Sequence, residues 1–405
     1  MTILGIIVEY NPFHNGHLYH LEQAKKLIEP EVTIAVMSGP FLQRGEAAIV
    51  DKWTRTKMAI LNGVDLVIEL PTVYATQSAD SFAFGAVSLL NQLHATDFVF
   101  GSETNQVNQL DKIADMLLDE PAEFQLYMEN MLSNGHSYPK ALALSLAQYQ
   151  KQSAELNDFE VLKPNDILGL QYLLQNKKIK GSIKGHGITR KLVNYHDSKL
   201  HQHSFASATA IRKNIFETEN VLSVKKVMPD SAHQLLEHQS SLNRLHRMEH
   251  FFMPLQLMIL NQSIEKLQEI HGMTEGLEHR IKESIMTAYS YSNLVEQIKT
   301  KRYTSTRIQR LLYHLLLQLT KENVEKLNLN QGPTYIRVLG FNENGRSYLS
   351  KIKNQLSIPL ITKIKKDKPM MLEFDLLASH IYEIGFPQAK QRKLEYQQTP
   401  IYQTI

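Results

Sequence analysis

Short apolar runs and amphipathic stretches alternate along the first hundred residues. A continuous apolar run, which is typical of a buried parallel strand, occurs at residues 3–8, and further strands are predicted at residues 32–37, 65–70 and 97–100. Stretches with apolar positions on one helical face lie between them, at residues 16–28, 51–61 and 80–93. This alternation predicts an α/β fold with a doubly wound parallel sheet.

Beyond residue 105 the pattern becomes mainly helical. Helices are predicted at residues 105–150, 163–175 and 345–356, and strands at 179–186, 335–339 and 360–364. Residues 229–327 show only helical periodicity. We therefore expect three units, which are a catalytic α/β domain over residues 1–220, a helical region over 221–330 and a small α/β C-terminal region over 331–405.

The composition narrows the class of protein. Lys and Arg number 44 against 41 Asp and Glu, and this net charge of +3 is too mild to indicate a nucleic-acid partner by itself. The absence of cysteine excludes disulfides, Cys nucleophiles and thiolate metal sites. The chain shows neither a secretory signal nor an apolar run of about 18 residues. We expect a soluble cytoplasmic protein with no membrane or disulfide partner.

The loop after the first predicted strand carries the most informative chemistry. Residues 5–18 read GIIVEYNPFHNGHL, so a buried strand leads into a helix through His14, Gly16 and His17. A helix N-terminus offers free N–H groups to an anion, and the two histidines, three residues apart, could stabilise charge on a phosphate. Two other interpretations remain, which are capping or core histidines and a metal site that includes His20.

This loop resembles the HxGH signature of the nucleotidyltransferases, which share a Rossmann-like fold. Residues 204–213, SFASATAIRK, resemble their second signature, a hydroxyl-rich helix start that ends in Arg. Ala206 stands where many relatives have Ser, and a capped surface helix is the alternative. Hydroxyls and N–H groups at a helix start suit phosphates. The resemblance implies that the catalytic residues, which handle the triphosphate of ATP, are His14, His17, Thr209 and Arg212.

Further segments narrow the resemblance to one family. They are AVMSGPFLQRGE (35–46), KWTRTKMA (52–59), GVDLVIELP (63–71), FGSE (100–103), KPNDILGLQY (163–172), GLEHRI (276–281) and KTKRYTSTRIQR (299–310). Together they resemble the bacterial tRNA(Met) cytidine acetate ligases. The resemblance implies that ATP and acetate form acetyl-adenylate, and that the acetyl group then moves to the exocyclic amine of the wobble cytidine of elongator tRNA(Met). Mg²⁺ would be held mainly through the ATP phosphates, because it prefers oxygen ligands.

The resemblance also implies a set of nucleotide contacts. These are Ile7, Val8, Glu9, Tyr10, Asn11, Pro12, Phe13, Asn15, Gly16, Leu18, Tyr19, His20, Gly101, Asn165, Arg190 and Ser207. Gly101 has an independent reason, since a glycine at a strand end permits close approach of a ligand. Asn165 could equally cap a helix, and Arg190 could be a surface cation. Arg44, in the loop after the second strand, is a weaker candidate for phosphate, acetate or RNA.

Two basic segments are candidate anion-binding sites: the first could form a pocket for an anion or an RNA surface, and the second an RNA surface. Residues 177–213 hold nine Lys or Arg residues and one acid, Asp197, with His186, His196, His201 and His203 among them. Residues 299–310 hold no acid. Basic side chains beside an aromatic ring suit RNA backbone contacts and base stacking, whereas the alternative is a solvated helical face. The candidates in the second segment are Lys299, Lys301, Arg302, Tyr303, Arg307 and Arg310.

Two functions of other classes stay open from the sequence. A small-molecule adenylyltransferase would share the first hundred residues, but it has no need of the long helical extension. A non-catalytic RNA-binding protein would share the basic segments, but it has no need of intact phosphate-handling signatures. An aminoacyl-tRNA synthetase relative would carry a KMSKS-type lysine loop, and this sequence has no clear one.

Overall fold

A computed structural model describes residues 1–136, 138–150, 163–190, 205–386 and 394–404. In this part of the chain the strands are β1 (Ile3–Val8), β2 (Val32–Ser38), β3 (Leu66–Leu70), β4 (Asp97–Ser102), β5 (Lys184–Thr189), β6 (Ile336–Phe341), β7 (Leu360–Ile361) and β8 (Ile401–Tyr402). They form one sheet in the order β5-β4-β1-β2-β3-β6-β7, and β8 also pairs with β6.

The helices cover both faces and extend beyond the sheet. Those before β5 are α1 (Asn15–Ile28), α2 (Lys52–Leu61), α3 (Thr72–Ala75), α4 (Ala79–Gln92), α5 (Val107–Asp119), α6 (Ala122–Ser133), α7 (Tyr138–Gln150) and α8 (Pro164–Lys178). Those between β5 and β6 are α9 (Ala208–Thr218), α10 (Asp230–Ser241), α11 (Phe252–Asn261), α12 (Ile264–Gln268), α13 (Leu277–Thr287), α14 (Tyr291–Ile298), α15 (Ser305–Leu317) and α16 (Lys321–Leu327). The last are α17 (Glu343–Ile352), α18 (Met370–Ile384) and α19 (Leu394–Gln397).

The strand order reverses direction at β1. β2 and β3 continue the sheet on one side of β1, whereas β4 and β5 continue it on the other, and all these strands are parallel. In open α/β sheets, ligands bind at the carboxyl ends of the strands where the order reverses. The predicted doubly wound parallel sheet is confirmed, and the edge where β1 and β4 end is the candidate site for a ligand.

Alternate residues of β1 bury their side chains in two separate cores. Leu4 and Ile6 pack into the core that also holds Leu21 of α1. Ile3 packs into the other core, with residues of α4 and α8. This alternation is the normal consequence of strand geometry, and it separates the α1 face of the sheet from the opposite face.

The C-terminal residues contribute to the central sheet rather than to a sheet of their own. β6 pairs antiparallel with β3, with Leu66 opposite Phe341. Buried ion pairs reinforce this edge, since Glu69 at the end of β3 contacts both Lys52 (2.7 Å) and Arg337 of β6 (3.2 Å). The division of the chain at residues 220 and 330 stays a prediction, and the sheet crosses the second position.

Two predicted boundaries differ from the structure. The strand expected over residues 179–186 begins at Lys184, because α8 continues to Lys178 and a turn follows it. The Asn176 side chain holds that turn by donating to the Ile183 carbonyl (2.8 Å). The predicted strand at 360–364 is only Leu360–Ile361. None of the described helices has the length and apolar character that crossing a membrane requires.

Candidate active site at the switch point of the sheet

The loop after β1 folds tightly before α1 begins. Tyr10 has a φ of 50°, the Asn11–Pro12 peptide bond is cis, and His14 is the N-cap of α1. The buried Tyr10 and Phe13 rings pack beside the His17 ring, with centroids 5.0 and 5.7 Å away. His14 and His17 therefore lie at the start of a helix, as the sequence predicts, beside β1, where the strand order reverses. Aromatic packing holds the His17 ring in place.

Hydrogen bonds fix the tautomer of both histidines. Nδ1 of His14 accepts from the Gly16 N–H (3.0 Å), and Nδ1 of His17 accepts from the His14 N–H (3.3 Å). A backbone N–H can only donate, so each Nδ1 must carry a lone pair and each neutral ring must carry its proton on Nε2. The rings stack with centroids 3.8 Å apart. The pair thus presents two Nε2–H donors, and the predicted capping role is also present.

Burial keeps these imidazoles neutral. It lowers the pKa of His14 to about 3, with Arg190 and Arg212 adding to the effect. The pKa of His17 is lowered well below its usual value by burial and by its histidine neighbours, and that of His20 is lowered to about 4 by burial and Arg190. A neutral pair can donate to an anion without a change of protonation state at neutral pH.

Arg212 joins the two signatures, although they are about 200 residues apart in sequence. It is the fifth residue of α9, and its Nη1 donates to the Asn11 carbonyl (2.8 Å) in the loop after β1. Its Nη2 donates to Oε2 of Glu46 (3.2 Å). Asn11 is itself buried, and its Oδ1 accepts from the Ile49 N–H (2.7 Å). The guanidinium therefore lies between the histidine loop and the loop after β2.

The helix start of the second signature is capped by Ser207. Its hydroxyl accepts from the Ala210 N–H (3.1 Å), as the alternative of a capped helix also predicts. Thr209 is exposed in the first turn. Ser204, the first residue of the signature, lies outside the described residues, as do His196, Asp197, His201 and His203.

The ends of β4 and α8 form the other wall of the site. Both carboxylate oxygens of Glu103, directly after β4, accept from the start of α8, including the Asn165 N–H (3.2 Å) and the Asp166 N–H (3.1 Å). Asn165 Oδ1 in turn accepts from Nη1 of Arg190 (2.6 Å). The suggested helix cap at Asn165 is wrong, because the N-cap of α8 is Lys163.

Arg190 links this wall to the rest of the site. It follows β5, is exposed, and its Cγ would lie 3.3 Å from a Cβ placed on Gly101 of β4. Its charge also lowers the pKa of His14 and of His20. The structure therefore brings Arg190, Gly101 and Asn165 together beside the histidines.

The remaining predicted nucleotide contacts lie along β1 and α1. Ile7, Val8, Leu18 and His20 are half-buried, and Pro12 is buried. Asn15 donates through Nδ2 to the Lys226 carbonyl (3.1 Å), and the Tyr19 ring contacts that of Phe205 (centroids 6.0 Å apart). These contacts connect the first turn of α1 to the segments that flank α9.

A buried arginine supports the loop from beneath. Arg55 of α2 is fully buried and donates to the carbonyls of Glu9 (2.7 Å), Ser38 (2.9 Å), Gly39 and Val50 (3.2 Å). It thereby ties the chain that leaves β1 to the chain that leaves β2. Sequence reasoning missed both Arg55 and Glu103, although each lies in a family-like segment, KWTRTKMA and FGSE.

The loop after β2 connects the site to the helical region. Gly45 has a φ of 77°, and a Cβ there would lie 2.6 Å from the backbone nitrogen of Arg310 in α15. Gln43 donates its N–H to Oε1 of Glu9 (2.8 Å), whereas Arg44 is exposed. This close packing of loop on helix places α15 next to the sheet edge.

The basic residues of segment 299–310 do not form one open surface. Lys301 and Arg302 are exposed, but Lys299 pairs with Glu296 (3.3 Å). The charged ends of Arg302 and Arg307 lie 5.6 and 4.9 Å from the centre of the half-buried Tyr303 ring. Arg310 is half-buried, and burial lowers its pKa. In segment 177–213, Lys177 pairs with two aspartates and Lys213 lies 3.7 Å from Glu217.

The sequence also leaves open a metal site that includes His14, His17 and His20. Within the described ranges, no group of three or more His, Asp or Glu side chains is arranged to hold a metal ion. Two of these histidines direct Nδ1 at backbone N–H groups, which leaves only Nε2 of each for other partners.

Comparison with known proteins agrees with this arrangement. The HIGH nucleotidyl transferase family model matches residues 1–397. A Kosmotoga olearia protein named tRNA(Met) cytidine acetate ligase is 41% identical over 417 residues, which cover 96% of each chain. A Lysinibacillus sphaericus protein of the same name is 40% identical and covers 99% of this chain and 100% of its own. The chain belongs to the tRNA(Met) cytidine acetate ligase family.

Solved structures support the same assignment. Thermotoga maritima TmcAL bound with alpha-thio ATP has a TM-score of 0.91 to this chain, and its apo form has 0.93. Each is 37% identical and covers 100% of both chains. The expected resemblance and the nucleotidyltransferase fold are therefore confirmed, and the chain is an ATP-dependent ligase of this family.

Proposed function

We propose that this enzyme forms acetyl-adenylate from ATP and acetate, and then acetylates the exocyclic amine of the wobble cytidine of elongator tRNA(Met). The observation that carries the proposal is the stacked pair of neutral imidazoles at the start of α1, with Nε2–H of both His14 and His17 left to donate. The names of full-length relatives and the alpha-thio ATP complex of the Thermotoga maritima protein support the choice of substrates.

In the first reaction, an oxygen of acetate attacks the α-phosphorus of ATP and pyrophosphate leaves. Charge builds up on the phosphate oxygens, and preorganised donors that face this charge lower the barrier. We assign the α-phosphate to Nε2–H of His14 and His17, and the β- and γ-phosphates to Arg212 and the start of α9. Mg²⁺ would be held through the phosphate oxygens, which it prefers as ligands.

The nucleoside part of ATP needs a second set of contacts. We assign it to the wall formed by Gly101, Asn165 and Arg190, because Glu103 orders the start of α8 there and the Asn165–Arg190 hydrogen bond is 2.6 Å long. A glycine at the end of β4 keeps this wall open to a ring. The other predicted contacts, along β1 and the first turns of α1, complete the proposed ATP site.

The proposed tRNA surface lies on the helical side of the sheet edge. We assign it to the accessible part of segment 299–310, around Lys301, Arg302 and the Arg-stacked Tyr303, because α15 packs directly on the loop after β2. Arg302→Glu should weaken tRNA binding at least tenfold more than it slows acetate-dependent pyrophosphate exchange. Lys353→Glu, which makes the same charge change at another exposed residue, is the control. Equal loss in both assays would contradict a separate tRNA surface.

Labelled acetate tests the whole proposal directly. The purified chain is incubated with ATP, Mg²⁺, labelled acetate and unmodified elongator tRNA(Met), with other tRNAs as controls, and the label in each tRNA is counted. Label in that tRNA alone is expected. Acetate-dependent pyrophosphate exchange with no labelled tRNA would contradict the acceptor, and neither signal from folded protein would contradict the enzyme activity. Because tRNA and ATP are cytoplasmic, we propose that the reaction takes place there.

A further inference from the structure

Transfer of the acetyl group requires a group that removes a proton. When N4 of the cytidine attacks the acetyl carbon, the nitrogen gains positive charge and must lose a proton before the product is stable. A positioned side chain that accepts this proton speeds such a step by about 100- to 10,000-fold. This proton transfer belongs to the second reaction of the proposed function, on which its assignment rests.

The two signature histidines are poorly suited to this role. Nε2 of each ring already carries the proton, and Nδ1 of each accepts a backbone N–H within its own turn. A second proton could be added only at Nδ1, so His14 or His17 would have to break its capping hydrogen bond first. Burial also opposes the charged ring. These histidines can donate to phosphate, but the proton acceptor must be another group.

Glu9 lies at the same edge of the sheet, on the side away from α1. It follows β1 directly and lies an even number of residues after Ile3. Side chains with this spacing point to the same face of a strand, and Ile3 packs on the face away from α1. Oε1 of Glu9 accepts from the Gln43 N–H (2.8 Å), in the loop that packs on α15. Residue 9 as a whole is half-buried, so it keeps some contact with solvent. It thus lies between the histidine loop and the helical region proposed to bind tRNA.

The other carboxylates around this edge are already engaged. Glu46 contacts Arg212 (3.2 Å) through Oε2 and Gln309 (3.5 Å) through Oε1. Both oxygens of Glu103 accept N–H groups from the start of α8, and Asp166 is fully buried. Among the described residues, by contrast, no donor pairs with Oε2 of Glu9.

We propose that Oε2 of Glu9 accepts the proton that leaves the cytidine amine during acetyl transfer. In this step the bond between N4 and the acetyl carbon forms. The bond between that carbon and the AMP phosphate oxygen breaks, with its electron pair remaining on AMP. The N4 proton moves to Glu9, and water later takes it from the product complex. No other reactant is needed.

The surroundings of Glu9 suit a proton acceptor. Burial raises its pKa above the usual glutamate value and the Glu46 charge adds to this, whereas the Gln43 N–H, Arg44 and Arg212 act in the opposite direction. A carboxylate whose pKa is moved toward the working pH accepts a proton more readily. Transfer should therefore slow as the pH falls through the Glu9 pKa.

Glu9→Gln tests the proposal with little change of shape. The amide oxygen can still accept from Gln43, but the side chain can no longer take up a proton. Acetate-dependent pyrophosphate exchange reports the first reaction, and single-turnover transfer of labelled acetyl to tRNA reports both. Transfer should fall about 100-fold or more, and at least tenfold more than exchange. In the wild-type enzyme, the rate of transfer should fall at acidic pH. Glu9→Gln should remove this fall from the pH–rate profile, whereas Glu9→Asp should retain it.

Glu46→Gln is the matched control on the neighbouring loop. It weakens the contact with Arg212, so exchange and transfer should fall together. If Glu9→Gln also lowered both equally, or if its transfer rate still fell at acidic pH, the Glu9 side chain would serve only the ATP site or the structure, and the proposal would be overturned. A wild-type enzyme that exchanges pyrophosphate but labels no tRNA would overturn both proposals. Normal wild-type labelling with unimpaired Glu9→Gln transfer would overturn this one alone.

Discussion

Replacement of Arg55 by methionine removes the cation beneath the histidine loop. The guanidinium is fully buried, and its partners are four backbone carbonyls, of Glu9, Ser38, Gly39 and Val50. Methionine fills most of the same space but donates no hydrogen bond. The variant therefore tests whether this one side chain holds together the chain segments that leave β1 and β2.

The expected loss of stability follows from these four contacts. A hydrogen bond from a charged donor is worth about 1.5–3 kcal/mol, and a buried carbonyl left unpaired costs about 1–3 kcal/mol. Their sum is an upper limit, because removal of Arg55 also removes the cost of burying its charge, which is several kcal/mol. The difference between these opposing contributions leads us to expect a net loss of about 3–5 kcal/mol. Folded domains have only about 5–15 kcal/mol in total.

Urea unfolding measures this loss, and pyrophosphate exchange measures its effect on the site. Arg55→Met should lower the unfolding midpoint strongly and slow exchange even where the protein is folded, since Glu9 and the loop after it lose an anchor. Lys57→Met, at a half-exposed position of the same helix, is the control and should change stability by no more than about 0.5 kcal/mol. A loss below about 1 kcal/mol with normal exchange would refute the supporting role of Arg55.

Three further outcomes are expected. His17→Ala should abolish pyrophosphate exchange and leave tRNA binding on filters intact; loss of both would indicate misfolding or another role. Glu103→Ala should raise the KM for ATP roughly tenfold with a smaller change in kcat, since the start of α8 loses its charged acceptor; a kcat effect alone would contradict this. Burial lowers the pKa of His246 and of His314 to about 3. Their unfolded forms titrate near 6.5, so the unfolded chain alone gains these protons in acid, and stability present above pH 6.5 should fall by about 1.4 kcal/mol per pH unit for each. His246→Phe should reduce that slope, and a flat urea profile from pH 6.5 to 4 would contradict it.

Strands and helices could be predicted wherever the sequence itself carries their hydrophobic periodicity. The expected bounds of β1 match the structure, and α1 and β2 differ by one residue each, because continuous apolar runs and a one-sided helix are local features. The pairing of β6 with β3 could not be predicted in this way. An apolar run indicates a buried strand, but it does not specify the neighbouring strand or its direction.

The candidate site, like the sheet, could be predicted only where the signal is local in the sequence. The two signatures predict where His14 and Arg212 lie, because a strand end and a helix start are visible in sequence. The partners of these residues are not, since contacts such as that of Arg212 with the Asn11 carbonyl depend on how distant segments pack. Asn165 shows the consequence. The sequence allows Asn165 to be either a helix cap or a ligand contact. The structure excludes the cap, because Lys163 is the N-cap of α8.

Buried charge explains why the C-terminal residues lie where they do. Glu395 of α19 contacts Lys52 of α2 (3.0 Å) and Arg337 of β6 (2.8 Å), and it accepts from the Trp53 indole (3.1 Å). Lys52 and Arg337 also share Glu69 of β3, so two cations and two carboxylates are buried together. A buried ion left without a partner costs several kcal/mol. Each of these four charges therefore requires the others, which couples the end of the chain to the helix that carries Arg55 and, through it, to the histidine loop.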